Sequence, residues 1–158
     1  MKDNSPENEL ADFIAKYTPE IATLAKSILA KMRTRLPNAI LLVYDNYNAL
    51  AIGFSPTERA ADVIFSIALY PRWISLFFLK GLNLPDPQKL LKGNGKIVRH
   101  IVLKAVEDLD NPDVKELMTQ ALTAANKPID DTTQSHIIIK SVSAKQRSRQ
   151  PVKPVDKK

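Results

Sequence analysis

Apolar residues crowd most densely between Val63 and Leu79, in the run VIFSIALYPRWISLFFL. Two halves rich in β-branched and aromatic residues, Val63–Tyr70 and Trp73–Leu79, are split by Pro71-Arg72, which predicts a β-hairpin. Strand side chains alternate, so Phe65, Ile67 and Leu69 fall on one side and Ile64, Ser66, Ala68 and Tyr70 on the other. The first side predicts a core face. The second is smaller and more polar and predicts solvent or a thin cover. The run approaches the minimum length of a membrane span, but a proline and an arginine at its centre favour buried strands and no membrane partner.

The pattern changes period on either side of this hairpin. Leu10, Phe13, Ile14 and Tyr17 recur at helical spacing behind Ser5-Pro6, a capping residue followed by a first-turn proline. Thr18-Pro19 repeats the start signal, and Ile21, Leu24, Ala25, Ile28, Met32 and Leu36 form the next stripe, closed by Pro37. Lys26, Lys31, Arg33 and Arg35 fall outside that stripe and read as a solvated cationic face. Ile40–Asp45 and Ala49–Phe54 predict two strands around Asp45-Asn46-Tyr47-Asn48. Ser55-Pro56-Thr57-Glu58 has helix-start spacing but room for only a single turn. After an irregular Lys80–Gly95, Lys96–Lys104 predicts a fifth strand. Asp110-Asn111-Pro112-Asp113 then starts a helix whose core stripe is Val114, Leu117, Met118, Ala121, Leu122 and Ala125. His136–Val142 has the composition of one more short strand.

The predicted fold is α+β. It is a two-layer sandwich with a mainly antiparallel sheet of about five strands, two N-terminal helices and one C-terminal helix. The expected organisation is one domain over 1–126 and a basic, largely disordered tail over 127–158.

Charge sharpens that division. The net charge is +6, but residues 1–126 carry 15 Lys/Arg against 14 Asp/Glu, whereas 127–158 carry 8 against 3. The basicity belongs to the tail, so the overall pI says nothing of nucleic-acid binding by the domain. Lys140, Lys145, Arg147, Arg149 and Lys153 predict weak, salt-dependent phosphate contacts at most, without aromatic residues between them to stack bases. The chain has no cysteine, which excludes disulfides, thiolate metal sites and cysteine nucleophiles. The polar opening MKDNSPENEL is not a signal-peptide pattern, and the expected location is cytoplasmic.

Little in the chain spells out chemistry. Lys92-Gly93-Asn94-Gly95-Lys96 superficially resembles the end of a P-loop. Leu90 stands where the first glycine is needed, Ile97 replaces the Ser/Thr, and a strand follows instead of a helix. A tight turn with glycine at positive φ is the better reading. His100 and His136 have no metal-ligand spacing. The acidic group Glu107, Asp108, Asp110, Asp113 and Glu116 fits the positive end of the following helix. A carboxylate pair could form only between distant residues, such as Asp45 and Asp62.

One combination of residues is more specific. It comprises Ala49-Leu50-Ala51-Ile52-Gly53-Phe54; Ile67-Ala68-Leu69-Tyr70-Pro71-Arg72-Trp73; and Gly81, Leu84-Pro85-Asp86-Pro87, Leu90-Leu91, Gly93-Asn94-Gly95-Lys96 and Arg99. This set resembles the YdhG-like proteins, domain-of-unknown-function family 1801, over about Pro19 to Leu122. The resemblance implies an α/β sandwich. A Bacillus member is described as a frataxin-like iron chaperone, so it also implies iron as a candidate ligand. Frataxin-like iron binding uses acidic residues of the first helix and the adjoining strand edge. Here the first helix offers Glu7, Glu9 and Asp12 and the second is basic, so no iron ligand is assigned. The first functional expectation is a non-enzymatic binding or carrier protein with an unidentified ligand. The alternatives are a nucleic-acid accessory protein acting through its tail and an enzyme using the Lys80–Arg99 loop. The residues expected to line a ligand cleft are Tyr47, Arg72, Lys96 and Arg99, polar groups at hairpin ends and beside a glycine turn.

Overall fold

A computed structural model describes residues 5–151. Two helices lead, α1 (Pro6–Ala15) and α2 (Pro19–Arg35). Both start where a capping residue followed by proline predicts. The Ser5 hydroxyl accepts the Asn8 N–H at 3.2 Å and the Thr18 hydroxyl accepts the Ile21 N–H at 3.3 Å, each satisfying an orphan first-turn donor. Five strands follow: β1 (Ile40–Asp45), β2 (Leu50–Ser55), β3 (Phe65–Leu69), β4 (Ile74–Phe78) and β5 (Arg99–Leu103). Helix α3 (Pro112–Ala124) is capped by the Asn111 side chain, which accepts the Asp113 N–H at 2.8 Å. Strand β6 (Ile137–Val142) completes the chain order.

The strands form one sheet in the order β5-β4-β3-β2-β1-β6. The first five make an antiparallel meander, as short links dictate. The sixth lies parallel to β1, with Leu41 against Ile137. The architecture is thus α+β, with three helices and a six-stranded, mostly antiparallel sheet. Helix stripes cover one face. Leu10, Ile14, Ile28 and Met32 from the helices meet Leu41, Ile52, Phe65, Ile67, Leu76 and Phe78 from the sheet in one buried cluster. Phe65 and Phe78 meet edge to face, 5.5 Å between ring centres. The inward side of the central hairpin is as alternation predicts, whereas on the other side Ile64 and Ala68 are buried as well. Phe65, Ile67 and Leu69 are fully buried, while Ser66 and Tyr70 on the other side are only partly so.

Two expectations are corrected. Residues from 127 onward do not form a loose tail, at least through 151. Ile137 is buried in the sheet edge, and Arg149 is 5 % exposed. The reason is non-local. β1 offers a full edge of backbone groups that only a distant segment reaches, and nothing in the local sequence of that segment names the edge it pairs with. Residues 152–158, including Lys153, lie outside the described residues. The fifth strand also starts later than expected, at Arg99, because the Arg99 guanidinium donates to the Gly95 and Val98 carbonyls at 2.7 and 2.8 Å and holds 95–98 as a turn. Among the described residues no helix is long and apolar enough to cross a membrane.

Candidate functional site

The β3–β4 turn organises one end of the sheet. Tyr70 and Trp73 flank Pro71-Arg72, and the Tyr70 N–H donates to the Trp73 carbonyl at 2.9 Å. Neither turn residue has a positive φ, so this is not one of the primed turns that match strand twist. The two flanking rings close the end instead, stacked at 4.7 Å with an 18° interplanar angle. Trp73 nevertheless keeps 44 % of its surface exposed. Burial raises the Tyr70 phenol above its ordinary pKa.

The β1–β2 turn lies at the same end, since Leu50 pairs with Leu69. The C-terminal segment wraps onto it. The Ser143 N–H donates to the Asp45 carbonyl and the Arg147 N–H to the Tyr47 carbonyl, both at 2.8 Å. The Arg147 guanidinium sits 5.8 Å from the centre of the Tyr47 ring. Beneath this surface a buried anchor fixes the segment. Arg149 donates to the Asp45 carboxylate at 2.9 Å and to the Asn46 carbonyl at 2.5 Å. The same guanidinium stands 5.8 Å from the Tyr17 ring centre. Asp45 is fully buried and also accepts from Lys16 at 3.2 Å. Tyr17 donates to the Leu69 carbonyl at 2.8 Å and accepts the Leu50 N–H at 3.2 Å, so α1 is tied to the ends of β2 and β3. Desolvation raises the Tyr17 phenol, opposed by the nearby Arg149 charge.

A cleft of about 800 Å³ opens above this anchor, lined by Asn48, Tyr70, Arg72, Trp73, Arg147 and Gln150 among others. A second hollow, about 550 Å³, runs along the sheet face away from the helices. Tyr47, Ala51, Ser66, Ala68, Phe77 and Val98 border it. Asn48 and Tyr70 belong to both walls, so the two adjoin. These volumes are in the range of small-molecule sites. Among the described residues, no Asp or Glu lines either hollow, and neither Arg72 nor Arg147 is in an ion pair. Two smaller hollows lie elsewhere: one of about 220 Å³ between α1 and α2, beside Leu10, Ile14 and Leu29, and one of about 50 Å³ between Ile64, Phe78, Leu84 and Ala121, room for a water or two.

Of the four residues expected at a cleft, Tyr47 and Arg72 border these adjoining hollows. Lys96 and Arg99 do not join them. Arg99 pairs with Phe78, at the end of β4 remote from the Pro71-Arg72 turn. Its guanidinium braces its own turn, and its Cβ packs where a side chain on Gly81 would clash. Lys96 is exposed on that turn. The surrounding loop is self-supporting: the Asp86 carboxylate accepts the Leu90 and Leu91 N–H groups at 2.9 Å each, and Gly93 adopts φ +119°. Tyr70, Trp73 and Arg147 were the cleft residues not expected. The first two are legible as cross-strand neighbours of the predicted turn. Arg147 reaches the cleft only through the long-range docking of its segment.

Other candidates are separated or engaged. Asp45 and Asp62 lie at opposite ends of the sheet, since Asp62 follows the Ser55 end of β2 and Asp45 pairs with Leu50 at its start. Asp62 is held by Thr57 at 2.6 Å and Lys127 at 3.4 Å, which lower its pKa, the Thr57 hydrogen bond most. Of the cations expected to bind phosphate, Arg149 is consumed in the Asp45 pair and Lys140 donates to the Glu58 carbonyl at 3.0 Å. Three of the α2 cations are also partnered: Arg33 bonds Glu7 at 2.7 Å, and Lys31 and Arg35 hold Asp110. An iron site of the frataxin kind does not fit. Glu7 is taken by Arg33, and among the described residues no three His, Asp or Glu side chains come together.

No protein-family model, curated protein sequence or solved structure matches the chain.

Proposed function

We propose that the protein is a binding or carrier domain of the YdhG-like kind that takes a small molecule into the cleft at the β3–β4 turn. The observation that carries this reading is the pair of adjoining hollows: a stacked Tyr70–Trp73 pair with Trp73 exposed, beside arginines that have no carboxylate partner among the described residues, on a base fixed by the buried Arg149–Asp45 pair. Sites built on rigid elements with a few polar groups around an apolar floor are the usual form of small-molecule recognition. The family part of the proposal rests on the residues of the Asp86–Lys96 block, where Asp86 and Gly93 each have a defined backbone role.

Trp73 is the chain's one tryptophan, so its emission reports on the cleft directly. The test is a panel of small metabolites screened by Trp73 fluorescence and thermal unfolding together. A ligand should change the emission saturably and raise the melting temperature by mass action. If no member of a chemically broad panel does both, the reading is wrong.

A further inference from the structure

Resting on that reading of the cleft, we infer that its ligand is a planar aromatic anion: one flat ring carrying one phosphate or carboxylate group. Two independent observations select this chemistry. The first is the aromatic wall. Tyr70 and Trp73 lie almost parallel, 4.7 Å apart, and Trp73 is 44 % exposed rather than buried by the protein. A rigid ring pair that borders an open cleft presents flat surface on which another ring stacks at little entropic cost, the way bases stack on aromatic platforms.

The second is the charge of the lining. Arg72 and Arg147 border the cleft with Asn48, Ser148 and Gln150 as neutral polar neighbours, and no carboxylate lines it among the described residues. Nearby Asp45 is already matched by Arg149 and Lys16 below. Two guanidinium groups with no carboxylate partner among the described residues set a positive field, and their planar forks suit phosphate or carboxylate oxygens. Asn48 adds an amide group that can bond ring or sugar heteroatoms, while the Gln150 amide nitrogen donates to the Lys16 carbonyl at 3.3 Å. Ring and anion are needed together. A bare anion would not account for the ring pair, and a neutral ring would leave the arginines unanswered.

The test uses the full chain and four probes: adenosine 5′-monophosphate, nicotinate, adenosine and inorganic phosphate. Each is titrated to millimolar concentration while Trp73 emission is followed. Adenosine monophosphate or nicotinate should quench saturably, and the tighter of the two tells phosphate from carboxylate. Adenosine and inorganic phosphate should bind about tenfold more weakly or worse, the scale of one charge-assisted bond or one stacked ring. Arg72→Ala and Arg147→Ala should each weaken the ring anion roughly tenfold and leave adenosine unchanged. Raised salt should weaken the anion selectively. Both arginines are exposed, so the variants should fold, and circular dichroism checks that they do. Adenosine binding as tightly as its monophosphate overturns the inference, as does inorganic phosphate matching it, or both ring anions failing to saturate. In each of those cases the carrier reading stands or falls separately, on whether any member of the wider panel binds.

Discussion

Replacing Arg149 with alanine removes the buried charged side chain that pins the C-terminal segment beneath the cleft. The guanidinium is 5 % exposed and its partner Asp45 is fully buried. Deleting one member of a buried pair typically costs about 3–5 kcal/mol, because the remaining charge stays desolvated. Lys16 still reaches Asp45 at 3.2 Å, and its side chain is half in water, so the cost should fall at the low end, about 3 kcal/mol. For a domain of this size that corresponds to a drop of roughly 6–12 °C in melting temperature. Urea unfolding followed by Trp73 emission and by circular dichroism measures it. A double-mutant cycle separates the pair from mere loss of packing. Asp45→Leu with Arg149→Met should recover much of the loss that each single change causes, since two apolar groups strand no charge. Amide exchange at Ser143 and Arg147, which bond the β1–β2 turn, should quicken in Arg149→Ala. A loss below about 0.5 kcal/mol, the usual size of a surface change, would show that the segment is not held by this contact.

Three further outcomes are expected. Tyr17→Phe strands a buried Leu50 N–H and Leu69 carbonyl, and should cost about 1–3 kcal/mol in urea unfolding with a little-changed m value; a neutral result would mean that water replaces the hydroxyl. Gly81→Ala places a Cβ 2.7 Å from that of Arg99, whereas at Gly95 the nearest atom is 3.8 Å away; the first should destabilise by about 1–3 kcal/mol and Gly95→Ala hardly at all, and equal effects refute the packing argument. The Gln134 carbonyl and then Glu58 raise His136 above its ordinary value near 6.5. The stabilisation is fully present below about pH 6.5 and fades as pH rises through the higher folded value, a few tenths of a kcal/mol at this exposed site. Proton NMR titration should show that midpoint falling in Glu58→Gln, and an unmoved midpoint removes the pair.

Features set by near neighbours in the chain were legible from it. Ser5, Thr18 and Asn111 announce their helices because a cap bonds three residues away or fewer. The inward side of β3 follows from period-two alternation alone. The ends of the hairpin drew notice because turn residues cluster there, and one end does carry Tyr47 and Arg72 beside adjoining hollows. What stayed hidden depends on distant pairs. Arg149 and Asp45 are 104 residues apart, and nothing around Arg149 distinguishes it from a solvated tail cation. Lys96 and Arg99 looked equivalent to Arg72 because all are cations near turns. The register of β4 puts the whole length of a strand between them. The sixth strand was visible as a short apolar run, but its parallel place beside β1 was not, since local sequence carries no signal of the edge it seeks.

That placement has a consequence for synthesis. The meander from β1 to β5 consists of neighbours and can assemble as it leaves the ribosome. β1, however, is buried along nearly its whole length, and one of its edges stays unpaired until Ile137–Val142 emerges and aligns with it. For that interval the nascent chain carries an open, apolar strand edge, the kind of surface that recruits other strands. Chains stalled or cleaved before residue 137 should therefore be chaperone clients and seeds of aggregation, even though every helix and the central hairpin are already complete.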